Sequence, residues 1–250
     1  MQLYFLFLIL LLIFFYFNKK KEGFESNKKN KIAIYSCNFG NYRNELKDNI
    51  DNIEIDNNID YYFFTDNKNI TSNKWNIIYP LKIPGDEIMD TDRWTSKYIK
   101  FKKHTVLKKY DIIVWCDNKI LNKSKGFLNY SNIIDTLLNK DLVFLKHPNR
   151  KSIQDELIKT IQIKKENDIS GKKFLNEIKN KIYNFPLVDT AVVIIRNNKN
   201  NSILFEDFYN TLKQKKLKRD QNVISYVIDK LSYPLQNIKL ISYNKIYSII

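Results

Sequence analysis

The chain has 250 residues, 44% of them hydrophobic and 14% aromatic, which is enough for one sizeable domain with a packed core. Five glycines and the lack of any GxGxxG or GxxxxGKS/T run exclude a P-loop and a dinucleotide fingerprint. The formal charge of +15 invites a nucleic-acid partner, but the lysines are spread over the whole chain beside abundant Asn, Ile, Tyr and Phe, and Ala stands only at positions 33 and 191. The excess therefore reads as compositional bias on a solvated surface, with no nucleic acid as partner, although such a surface still favours anionic substrates or membrane faces.

Residues 3–17, LYFLFLILLLIFFYF, are apolar or aromatic throughout. They approach the length that spans a hydrocarbon core, and no small-residue cleavage site follows, so a single-pass transmembrane anchor is expected. Lys19, Lys20 and Lys21 follow the span and no cation precedes it, which places the body on the cytoplasmic side by the positive-inside rule; a lumenal body is the alternative. The sequons at Asn69, Asn122, Asn129 and Asn200 read as chance matches in so Asn-rich a chain. Residues 18–30 form a polar linker, and the globular body is expected to run from 31 to 250.

In the body, IAIYSC (32–37), DYYFFTD (60–66) and WNIIY (75–79) read as strands. A helix follows from Arg93, with Trp94, Tyr98, Phe101 and Thr105 on an apolar side. Arg93, Lys97, Lys100 and His104 make a basic stripe. The run Ile112–Trp115 is partly β-branched and reads as a strand buried on both faces, breaking off into Cys116, Asp117, Asn118 and Lys119. Further on come a helix at 131–139, a strand at 141–147, helices at 152–166 and 171–183, a strand at 189–196, helices at 202–214 and 221–231, and an edge strand at 238–242. Strands alternating with helices imply a single α/β domain with a mostly parallel central sheet.

Ligands in such sheets bind beyond the carboxyl ends of the strands. Asp117 stands at such an end and is the first candidate for function, against the plainer reading of a polar turn. Asp220 precedes the helix at 221 and reads equally as its N-cap or as a functional acid. Cys37 and Cys116 are too few for a disulfide scaffold, and with His104 and His147 too few for a zinc cluster.

The segments IAIYSCNFGNY, DYYFFTDN, RWTSKYIKFKKH, YDIIVWCDNKI, KHPNRKSIQDE, DTAVVIIR and RDQ occur in that order from about Ile32 to Ile228. Together they resemble the glycosyltransferase-like family DUF616 of plant mucilage-related and bacterial proteins, itself similar to GT-A glycosyltransferases. The resemblance implies a GT-A-like fold and transfer of a sugar from a nucleotide-sugar donor to a hydroxyl of a glycan, protein or lipid. It implies donor contacts at Asn41, Tyr42, Asp66, Arg93, Lys97, Asn118, Lys119, Arg150 and Gln221. Asp220 and Asp189 would serve the acceptor, as base or as orienting groups. Asp155 and Glu156 also match, without a role. GT-A enzymes carry Asp-x-Asp to hold a divalent ion; here the run is Asp117-Asn118-Lys119. Asp117 with His147 would hold Mn²⁺ or Mg²⁺, or else Lys119 and the basic stripe would neutralise the diphosphate without metal. Two other classes stand beside the transferase: a non-catalytic carbohydrate-binding or assembly protein with a decayed site, and a membrane-proximal hydrolase, for which no GxSxG is present.

Overall fold

The computed structural model describes residues 29–40, 42, 50–121 and 126–247. Contacts divide the chain after Asn30, and Lys31–Ile250 forms one compact unit. The expected anchor at 3–17 and the candidate Asn41 lie outside the described residues. Among those described, no helix is long and apolar enough to cross a membrane.

Seven strands form one sheet: β1 (Ile32–Asn38), β2 (Ile59–Thr65), β3 (Asn76–Ile78), β4 (Ile112–Cys116), β5 (Leu142–Lys146), β6 (Val188–Arg196) and β7 (Ile238–Ile241), in the order β3-β2-β1-β4-β6-β5-β7. All pairings are parallel except the two made by β6, which runs against β4 and β5. Side chains alternate between the faces of a strand, and both faces here are covered. Ala33, Tyr35, Tyr62, Phe64, Ile113 and Trp115 enter one core. Ile32, Ile34, Tyr61, Phe63, Val114 and Cys116 enter the other. This is why the strands read as unbroken apolar runs. It also puts Cys37 and Cys116 against opposite faces, and both are free thiols.

Among the described residues, five helices pack on the first face: α1 (Thr91–Lys102), α4 (Ile153–Gln162), α5 (Asp168–Ile178), α6 (Lys199–Lys215) and α7 (Gln221–Lys230). The second face takes α2 (Asn118–Leu121), α3 (Tyr130–Leu137) and α8 (Tyr243–Tyr247). Helix α1 opens at Asp90, whose side chain accepts the Arg93 amide at 2.8 Å. It rests on α6 through Trp94 against Tyr209 and Phe101 against Phe205 and Phe208. Each such buried aromatic contributes about 2 kcal/mol. The helix ends sooner than its sequence period suggested, because Lys103 turns to φ 59°. His104 therefore leaves the basic stripe. It caps the following 3₁₀ turn, accepting the Val106 amide, and its ring stacks near Phe64.

The sheet order fixes where a ligand can sit. From β1 the chain moves to β2 and β3 on one side, then returns to β4 on the other. The carboxyl ends of β1 and β4 thus flank the topological switch point. Because β6 is reversed, its first residues arrive at the same edge: Cys116 pairs with Val192, and the Asp117 amide donates to the Ala191 carbonyl at 2.7 Å.

Candidate functional site

A cavity of about 480 Å³ opens at this edge. It is lined by the turn after β1, by α1, by the β4–α2 junction, by the start of β6 and by the α6–α7 turn, with Lys164 and Lys165 on its rim. Among the described residues, eight cationic side chains line it against five carboxylates, so it suits an anion. A second cavity, of about 400 Å³ around Glu54, Asp56 and Asn129, has carboxylates but no lysine or arginine among its described lining residues, and suits an anion less.

The floor is a buried ion cluster. Asp220 lies in α-helical backbone geometry and makes no capping bond to α7, so the N-cap reading fails. Its Oδ2 accepts from Lys100 Nζ at 2.7 Å and from the Thr190 hydroxyl at 3.0 Å, and its Oδ1 lies 3.2 Å from Lys97 Nζ. Burial alone would push this carboxyl up, but the two lysines hold it well below the ordinary carboxylate range. Burial would pull Lys100 down; Asp220 and Asp117 outweigh it and hold the ammonium above its ordinary value. For Lys97 burial wins over Asp220, and its value falls.

Asp117 sits beside this cluster and does not point into bulk water. Its Oδ1 accepts the Trp115 indole N–H at 2.9 Å and lies 3.8 Å from Lys100 Nζ, while Oδ2 lies 3.9 Å from Lys119 Nζ. Lys100 also stands 5.1 Å over the Trp115 ring.

The other expected residues separate into two groups. Tyr42, Arg93, Lys97, Asn118, Lys119, Asp189, Asp220 and Gln221 line the cavity together with Asp117. Asp189 is held by the Ala191 amide at 2.7 Å, and Gln221 accepts from the Arg219 guanidinium. Asp66 stands behind the wall: it accepts the Gly40 amide at 3.1 Å and pairs with Lys82, which also pairs with Asp92. Gly40 takes φ 64°, and a Cβ there would lie 2.0 Å from an Asp92 oxygen, so only glycine lets this turn close. Burial would push Asp66 up, but the Lys82 contact and the Gly40 amide bring it below its ordinary value.

His147 and Arg150 do not reach the cavity. The His147 ring is buried, its Nδ1 accepts the Asn149 and Arg150 amides, and its Nε2 lies 3.6 Å from Glu156. Burial holds it below the ordinary histidine range despite that carboxylate. Arg150 donates to the same fully buried Glu156, whose other oxygen lies 3.7 Å from Arg219. This trio braces the α6–α7 turn from behind. Asp155 bonds the Ser152 hydroxyl at the start of α4.

Lys100 was read as one of a stripe rather than as the centre of the site, and Thr190, Lys164, Lys165 and Lys218 were not singled out. Glu166 organises the last three. It follows Lys164 and Lys165, is buried, and accepts the backbone amides of Lys218 at 2.7 Å and Arg219 at 3.1 Å and the Asn222 amide at 2.8 Å. An acid inside a Lys-rich run gives no sequence sign of such a clamp.

A divalent-ion site of the Asp-x-Asp kind does not fit these residues. Lys119 takes the place of the second acid, His147 faces Glu156, and ammonium groups face both oxygens of Asp117. Among the described residues no group of three or more His, Cys, Asp or Glu side chains is disposed to hold a metal.

No family model matches the chain, and no curated protein matches it. Among solved structures, the apo form of mouse xyloside xylosyltransferase 1 superposes with a TM-score of 0.48 and 10% identity, over 84% of this chain and 85% of that one. At that level the likeness carries no argument about chemistry.

Proposed function

We propose that the chain is a glycosyltransferase that binds a nucleotide sugar at the β1–β4 switch point and passes the sugar to an acceptor hydroxyl. The observation that carries this reading is the convergence of separate strand ends on one cavity whose floor holds the buried Lys100 and the half-buried Lys97. The motif resemblance from Ile32 to Ile228 points the same way. In the transfer, the acceptor oxygen bonds to the anomeric carbon as the bond from that carbon to the diphosphate breaks. The diphosphate leaves with the electron pair, and the hydroxyl proton passes to a base. Lys97, Lys100, Lys119 and Arg93 would meet the charge growing on the diphosphate, where preplaced cations in a shielded cleft act most strongly. Asp220 is a poor base, because the lysines that lower its proton affinity also occupy its oxygens. Asp189 is the better placed acceptor of the proton, and Asp220 keeps the lysines in position.

The test is release of nucleoside diphosphate by the purified full-length chain from uridine-, guanosine- and adenosine-diphosphate sugars with mixed hydroxyl acceptors. Turnover with one donor is expected, falling on the order of 10²-fold or more in Lys119→Ala. Lys119 in place of an acid favours a second reading, a sugar-nucleotide-binding module without turnover; binding with no release from any donor would establish it. A hydrolase is less supported. Neither histidine lines the cavity, and burial pushes the cavity-lining Cys37 thiol up to about 12. Residues 3–17 would tether the protein to a membrane with the body on the cytoplasmic side. Protease protection in sealed vesicles tests that orientation, and a shielded body would reverse it.

A further inference from the structure

We propose that the nucleoside diphosphate is held without a divalent cation, the Lys100 and Lys119 ammonium groups standing at Asp117 where an Asp-x-Asp site would place its metal. The inference rests on the glycosyltransferase reading of the same cavity and narrows it to a chemistry. Asp117 and Asp220, the carboxylates at the centre of the cavity floor, already face ammonium groups. Asp117 has Lys100 at 3.8 Å on one oxygen and Lys119 at 3.9 Å on the other. Asp220 has Lys100 at 2.7 Å and Lys97 at 3.2 Å. Lys100 thus lies between the two acids, in the place of an ion that would bridge them.

Magnitudes favour the lysines. Like charges about 4 Å apart repel by about 4 kcal/mol per pair of unit charges at an effective dielectric of 20, and a divalent ion doubles that against each ammonium. To admit the ion, Lys100 would also have to leave a buried partner, and breaking a buried pair costs several kcal/mol. Magnesium and manganese need several oxygen ligands, and on this floor the oxygens of Asp117 and Asp220 are already engaged by lysines. A diphosphate meets the opposite situation. Lys100 is fixed by Asp220, Thr190 and the face of Trp115. Lys119 has a half-exposed side chain only loosely paired with Asp117, so it can turn to a phosphate oxygen with little loss.

The experiment titrates chelator-treated full-length chain with uridine, guanosine and adenosine diphosphates by calorimetry, then repeats the titration in excess Mn²⁺. For at least one of them, affinity within about twofold between the two conditions is expected. Lys119→Met should weaken it about tenfold in both. Lys119→Asp recreates Asp-x-Asp and should make binding depend on Mn²⁺. Binding by the unaltered protein only when Mn²⁺ is present would overturn the proposal and leave the transferase reading standing. Unchanged affinity in Lys119→Met would overturn the role given to that lysine. No diphosphate binding in either condition would remove both the proposal and the reading beneath it.

Discussion

Two buried carboxylates lie on either side of the α6–α7 turn and are held in opposite ways. Glu166 is met by dipoles: the amides of Asn167, Lys218 and Arg219 and the side chain of Asn222. Burial pushes its carboxyl up, and those hydrogen bonds only partly offset that. Asp220 is met by whole charges, Lys97 and Lys100, and is driven the other way. A carboxylate clamped by backbone holds a shape, here the path that brings Lys218 and Arg219 to the cavity. A carboxylate clamped by lysines holds charge, because the ammonium groups it keeps ionised line the same cavity and can face an incoming anion. The two acids look alike by burial, and their partners separate their tasks.

Removing each acid should therefore give different pairs of results. Asp220→Asn leaves the buried Lys100 and the half-buried Lys97 beside a neutral amide. A loss of about 3 kcal/mol or more at neutral pH is expected in chemical denaturation. The same change removes a negative charge from the cavity but also the partner that holds Lys97 and Lys100, and with these opposed, affinity for a nucleoside diphosphate should stay within a few fold by calorimetry. A collapse of affinity would show that the hold on the lysines, or a contact of Asp220 with the ligand, outweighs the charge removed. The sign of the pH effect follows from the depressed value. The stability Asp220 contributes is fully present above the ordinary carboxylate value of 3.8 and is lost as pH falls below it toward the folded-state value. The acid limb of a stability–pH profile should accordingly flatten in Asp220→Asn.

Glu166→Ala is the smaller loss, about 2 kcal/mol, as its donors are left facing an apolar methyl. Here stability and diphosphate affinity should fall together, since the Lys218–Arg219 path loosens. A drop in stability with affinity untouched would show that this wall takes no part in binding.

Much of the sheet was legible in the sequence, because a strand buried on both faces leaves an unbroken run such as Ile112–Trp115, and one ending in Asp117 points to the ligand edge. The direction of β6 was not legible. The middle of that strand, Ala191–Ile195, is apolar throughout, and such a run reads the same whichever way it crosses the sheet. Its reversal is what brings Asp189 and Thr190 beside Asp117. Helix α1 was legible to its last turn, but Lys103 takes a positive φ with no glycine or proline to announce it, so His104 was drawn into a stripe it does not join. His147 was paired with Asp117 on residue type alone, and the structure gives it to Glu156. Asp220 illustrates the general difficulty: an acid before a helix is most simply a cap, and only the position of Lys97 and Lys100 one layer away shows that it is not.

The finest test of the comparison lies at Trp115, which touches the charged cluster without carrying charge. Its indole N–H fixes Asp117 Oδ1, its face receives Lys100, and its ring packs 5.3 Å from Tyr35. Trp115→Phe keeps most of the packing and deletes the donor. Stability should fall by only about 1 kcal/mol. Asp117, no longer tethered on that side, can draw closer to Lys100 and Lys119 and compete with phosphate for them. Diphosphate affinity should then drop a few fold, with the chelator and Mn²⁺ titrations moving together. If the loss instead appeared in Mn²⁺ alone, the indole would be orienting Asp117 toward a metal, and the contrast between a charge-holding floor and a shape-holding wall would need a cation at its centre.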